Sequence, residues 1–280
     1  MSHFCVLVKV DKDMLQKHND DIESAVSALL APYQENNMGD CPQQYMQFYD
    51  KTQEIQKEFD NLTEEDTLKY TTFGDVAERY CGYKYDEEQM AYGYWENPNK
   101  KWDWYTIGGR WSNMLPKSTE NGVERVDIVE RRDLDIDTLD ADVDKSIAEW
   151  WSDYQQYIEE KDSENPNMGI SWYMSKDLQS LGLIKCIKPR EYIDGKWGDG
   201  EWDEQPVTLE QLQTEYRYFF KFSTWAVLDK DGWYTKGEMG WFGTSDATPD
   251  VLKEFDSNYM ERFILNENPD TVLVIVDCHI

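Results

Sequence analysis

An α+β fold is predicted, with a mainly antiparallel sheet core, covering helices and two large acidic, aromatic-rich insertions. Three observations predict it. Strand-forming apolar runs stand at both chain ends, at 4–8 and 271–280; a helical apolar period lies beside each; two long polar stretches rich in tyrosine and carboxylates separate them.

Residues 3–10 read as a buried strand, because Phe4, Cys5, Val6, Leu7 and Val8 suit a pleated surface, and the charged residues 11–13 end it. Over 20–31, Ile22, Ala25, Val26, Leu29 and Leu30 recur at helical spacing, with Asp20 or Asp21 placed to cap and Pro32 to stop the helix. Residues 34–96 form the first insertion, in which MQFYDKTQEIQKEFDNL looks helical and CGYKYDEEQMAYGYW irregular. KWDWYTIGGRW at 101–111 reads as a core strand bent at Gly108 and Gly109. Residues 120–205 form the second, acidic insertion: Leu134 and Ile136 alternate as in an exposed strand, and SIAEWWSDYQQYIEEKDSE follows as a helix. A helix at 208–218, two strands joined at 229–232 and an amphipathic helix at 249–265 on Val251, Leu252, Phe255, Tyr259 and Phe263 lead to a buried final strand. The core is thus expected in 1–33, 97–119 and 206–280, with 34–96 inserted and 120–205 an acidic insertion subdomain.

The 57 Asp and Glu against 28 Lys and Arg give a formal net charge of −29, so the summed field opposes direct binding to nucleic acid or to an anionic membrane and favours a basic partner. Twelve Trp and 18 Tyr supply too much buriable surface for a disordered acidic chain. Five widely spaced cysteines, Cys5, Cys41, Cys81, Cys186 and Cys278, suggest neither a disulfide framework nor a zinc knuckle, which points to a reducing compartment. No run approaches the roughly 18 apolar residues of a membrane span, and the start is not an export signal.

Chemical motifs are sparse. His3, Cys5, Cys278 and His279 could meet as a tetrahedral zinc set if the terminal strands were neighbours, but Cys278 and His279 point to opposite faces of a regular strand and buried cysteines are commonly apolar filling. Asp133, Asp135 and Asp137 have the spacing that opens a calcium loop, yet Thr138 stands where the turn wants glycine and Asp144 where it wants glutamate. With three histidines, no nucleophile motif and no phosphate-cradling glycine loop, neither catalysis nor a cofactor is indicated. From 133 to 164 twelve acids face only Lys145 and Lys161, a density that suits either a solvated face or one that imitates the phosphates of a duplex. The tryptophans of KWDWYTIGGRW, WAVLDKDGWY and GEMGWFG supply either an oversized core or an exposed anchor patch, and Arg110 beside Trp111 is placed to stack or to pair with an acid.

Four blocks carry a resemblance: SHFCVLV at 2–8, KWDWYTIGGRW at 101–111, GEMGW at 237–241 and VDCHI at 276–280. In them the chain resembles a scattered family of accessory proteins of tailed bacteriophages. It departs at Cys5, where those relatives often carry Thr. The resemblance implies a phage gene product working in the host cytoplasm. Acidic accessory proteins of this kind look like inhibitors of host antiviral defence; the Gabija anti-defence type is similar in being a binding inhibitor assembled around its nuclease target, although no residues match that type specifically. The expectation is a non-enzymatic, homo-oligomeric protein that binds a host defence complex, using Trp102, Trp104, Arg110, Trp111, Asp133, Asp135, Asp137, Trp150 and Trp151. An acidic DNA mimic, and an enzyme or small-ligand protein built on the Trp-rich strands, are the alternatives.

Overall fold

The computed structural model describes residues 2–161, 163, 167–188, 192–193, 196–197, 201–240 and 243–280. The chain has an α+β fold in two units, one of Met1–Ala25 with Thr106–Cys278 and one of Val26–Tyr105 with His279–Ile280.

The first unit is built on a sheet in the order Gly232–Thr235, Ala226–Asp229, His3–Val10, Val272–His279 and Trp104–Ile107; Ile128–Glu130 also pairs with Val272–His279. Asp229↔Gly232 closes the expected hairpin, and Val274↔Ile128 runs antiparallel. Val6↔Ala226 and Val8↔Leu228 are parallel, which the long connection between those strands permits. His3–Val10 and Val272–His279 are buried on both faces, so each carries a continuous apolar stretch, 4–8 and 272–276, rather than an alternating one.

Helix Pro249–Met260 covers one sheet face. Thr248 caps it by accepting from the Val251 N–H, Pro249 opens it, and Glu261–Leu265 continues it in a wider turn. Its Phe255 and Tyr259, with Phe263 and Ile264 beyond, pack on Cys5, Leu7, Val227, Leu273 and Ile275. Tyr259 is fully buried, and its hydroxyl is 2.7 Å from that of Thr224, so no polar group is stranded there. Lys9 is buried within its strand, its Nζ 3.0 Å from Asp229 Oδ2 and 2.5 Å from Glu267 Oε1. Two carboxylates around one interior ammonium offset its desolvation.

A separate core in the same unit forms on helix Ile136–Glu160, where Leu139, Val143, Ile147, Trp150, Tyr154 and Tyr157 recur every three or four residues along one face. From Val143 onward this face meets Met174 and Leu178 of helix Met168–Ser180, along with Val207, Leu212 and Tyr218. Two expectations are corrected here. The segment before 136 is not an exposed strand, because Asp135 caps a helix that starts ten residues earlier than the sequence pattern of SIAEWW suggested. The helix expected over 208–218 stops at Gln213, with Thr214 as its C-cap, and Arg217–Phe220 forms a separate 3-10 turn.

In the second unit Gln47–Asp50, Ala91–Glu96 and Lys84–Asp86 form an antiparallel sheet, with Ala91–Glu96 central. CGYKYDEEQMAYGYW is therefore a hairpin and not irregular. Cross-strand aromatics hold it, with Tyr85 opposite Tyr92 and Tyr49 stacked on Tyr94 at 5.4 Å. Asp86 accepts from the Gln89 N–H and from Trp95 Nε1, closing the turn. Helix Thr52–Asp60 supplies Ile55 to a small core with Val76 and Ala77. The helix expected over 20–31 is present as Ile22–Leu30. Among the described residues, no helix is long and apolar enough to cross a membrane.

Candidate functional site

The four sequence blocks close into two carboxylate–histidine knots, one in each unit. In the first, Asp277 is buried at the end of the last strand; its Oδ1 lies 2.9 Å from His3 Nδ1 and its Oδ2 accepts from the Arg110 N–H at 3.0 Å. Gly109 makes this possible, with φ of +59° and an absent side chain whose Cβ would stand 2.5 Å from Asp277 Cβ. Ser2 joins the turn after GEMG, donating to Gly240 O and accepting from the Gly243 N–H; Trp241 lies outside the described residues. In the second knot His279 Nδ1 is 2.6 Å from Asp103 Oδ1, Trp104 stacks on the imidazole at 5.3 Å, and Asn37 donates to Asp103 Oδ2. Nearby Asn97, fully buried, donates to Pro32 O and Gln34 O, and the Trp102 indole donates to Leu30 O.

His3 and His279 each turn to a carboxylate, and burial pushes the Cys5 and Cys278 thiols far above their usual range. Among the described residues, no group of three or more metal-ligating side chains converges. Cys186, by contrast, is exposed. A thiol reagent applied to the folded protein is expected to modify Cys186 first and Cys5 and Cys278 at least about 100-fold more slowly, until denaturant equalises them; fast labelling of either buried thiol would refute this.

The acidic segment becomes a ridge. Helix Ile136–Glu160 is about 38 Å long, and along it Asp137, Asp140, Asp144, Glu149 and Glu159 are exposed outside its buried stripe. Asp144 pairs with Arg217 and Glu149 with Lys145, whereas Asp137, Asp140 and Glu159 carry no ion pair among the described residues. Asp162 and Glu164 lie outside the described residues.

The triad read as a calcium-like opening is instead a helix start: Asp133 ends a 3-10 turn, Asp135 caps, and Asp137 lies in the first turn, where a carboxylate meets the positive end of the helix. Bonds from the Ser118 hydroxyl and the Thr138 N–H hold the Asp135 carboxyl below the usual carboxylate range. A carboxyl depressed by folding stabilises above its unfolded pKa of about 3.9 and loses that contribution as pH falls through the folded value. The Tm advantage of the unaltered chain over Asp135→Asn, which keeps a capping side chain, is therefore expected to shrink from pH 6 toward pH 3; a gap constant with pH would contradict the assignment.

The aromatic anchors divide. Trp102 and Trp150 are core residues, 5% and 7% exposed, and Trp150 donates its indole N–H to Asp177 at 2.8 Å. Both are removed from the expected partner surface, since a buried ring with a satisfied N–H offers a partner nothing. Trp111 and Trp151 are half-buried against the two cores. Trp104 and the Arg110 side chain are exposed. Among the described residues the tryptophans most open to solvent are Trp172 at 64% and Trp202 at 50%, which the sequence did not single out because neither stands in a motif. Asp103 and Asp277 stand inside the quoted blocks, which was the available signal for them.

No family model, curated protein or solved structure matches this chain.

Proposed function

We propose that the protein acts by binding: a phage-encoded, non-enzymatic inhibitor that engages a host antiviral defence complex, with a DNA-handling nuclease of the Gabija kind as the target. The observation that carries this is the ridge on helix Ile136–Glu160. One rigid element presents a row of carboxylates, three of them unpaired among the described residues, in a chain of net charge −29. Such a row complements a basic groove and steers association toward it. The resemblance in the four blocks supplies the phage setting, and exposed Trp104, Trp172 and Trp202 supply rings able to anchor a partner or a second copy of the chain.

The test is biological rescue. Bacteria carrying one defence system at a time, and expressing this protein, are challenged with a phage that the system restricts. Recovery of plaques against a nuclease-based system supports the reading, and restriction unchanged across the panel opposes it.

The same ridge favours a second reading, that the helix imitates duplex phosphates and competes with DNA. Excess duplex then displaces the protein from its target, whereas an inhibitor that grips elsewhere is unaffected.

A further inference from the structure

The hairpin of the second unit ends in a methionine that is both strained and exposed. The last register pair, Asp86↔Ala91, leaves Glu87, Glu88, Gln89 and Met90 as the tip. Asp86 holds this tip from within. Its Oδ1 accepts from the Glu88 N–H at 3.0 Å and the Gln89 N–H at 2.9 Å, while its Oδ2 accepts from Trp95 Nε1 at 2.8 Å. The backbone then reaches Met90 with φ of +51°, in the left-handed region.

Among the described residues the non-glycine positions with positive φ are Asn19, Asp20, Asn113 and Met90. Asn and Asp have short polar side chains that tolerate this conformation, so Met90 is the exception, at a position where glycine would carry no steric cost. Packing does not compensate the strain. Met90 is 77% exposed, and its side chain returns little burial to the fold. A strained residue that gives nothing to a core is explained by a contact outside the fold, and an unbranched thioether adapts readily to an apolar surface that receives it. The neighbours narrow the kind of surface. Glu87 and Glu88 are exposed and have no ion pair among the described residues, and the net charge of −29 acts in the same direction, so cations are favoured around the methionine.

We infer that Met90 is a partner contact: it inserts into an apolar pocket on the target protein, and Glu87 and Glu88 pair with lysines or arginines on the rim of that pocket. This rests on the inhibitor reading and adds to it a contact in the second unit, on an element other than the ridge.

Met90→Gly and Met90→Asn, both suited to positive φ, test it in two assays. In thermal unfolding each variant is expected to have a Tm about 1 °C or more above that of the unaltered protein, because strain is released and no packing is lost. Plaque recovery, scored under the defence system that the unaltered protein relieves, is expected to fall at least about tenfold with either variant and with the combined Glu87→Lys, Glu88→Lys variant. Loss of function in a more stable protein cannot come from misfolding. Full recovery with both Met90 variants overturns the inference and leaves the inhibitor reading standing. A Tm that rises in neither removes the strain on which the inference rests and overturns it as well. Full recovery with the double lysine variant overturns the cationic rim. Recovery under no system, even with the unaltered protein, overturns the inhibitor reading and this contact with it.

Discussion

Replacing Gly109 by alanine is expected to destabilise the protein by about 3 kcal/mol or more, seen as a fall in Tm of roughly 10 °C. Two costs combine. The backbone at Gly109 has φ of +59°, a conformation that costs an L side chain roughly 1–2 kcal/mol. The new Cβ would also stand 2.5 Å from Asp277 Cβ and 2.8 Å from Thr106 Cγ2, so Asp277 must move. Asp277 is 2% exposed and its oxygens are used by His3 and the Arg110 N–H. Displacing it leaves a buried carboxylate short of partners, a further penalty of about 1–3 kcal/mol. Gly39→Ala is the control: its φ of +75° carries the backbone cost, but nothing lies within 4 Å of the added methyl. Equal losses in the two variants would show that the knot around Asp277 contributes nothing.

Reversing the ridge is expected to abolish partner binding while leaving the fold intact. In a triple variant, Asp137→Lys, Asp140→Lys and Glu159→Lys, the exposed side chains release no ion pair seen among the described residues, so the stability change should be small apart from the loss of a favourable acid at the helix start. Against a basic surface, each substitution removes an attraction and installs a repulsion, and like-charge juxtaposition costs several kcal/mol. The expected loss of affinity is more than about a hundredfold, falling mainly on the association rate and shrinking with added salt. Undiminished affinity would place the contact off the ridge.

The sequence was most legible where one physical rule dominated. Continuous apolar runs gave the two central strands, and the spacing of Val251, Leu252, Phe255 and Tyr259 gave the last helix. It was least legible where side-chain chemistry decided between states. Leu134 and Ile136 alternate as in a strand, but Asp135 between them caps a helix whose buried stripe, from Leu139 through Val143 to Tyr157, was already present at helical spacing. The YGYW segment lacked apolar alternation, yet tyrosines pairing across strands made it a sheet. In the candidate site, Trp102 of the second block and Trp150 of helix Ile136–Glu160 went inside, and the carboxylates Asp103 and Asp277 became the centres of the two knots. That exchange follows from long-range pairings such as Asp277 with His3, 274 residues apart, which no local pattern encodes.

The binding account is tested most directly by affinity capture of the tagged protein from bacteria that each express a single defence system, followed by sizing of whatever is retained and by the same capture with the triple ridge variant. The account predicts that a DNA-handling nuclease co-elutes with the unaltered protein as one stoichiometric species and is lost with the variant. Elution of the unaltered protein with no partner from every strain would contradict it.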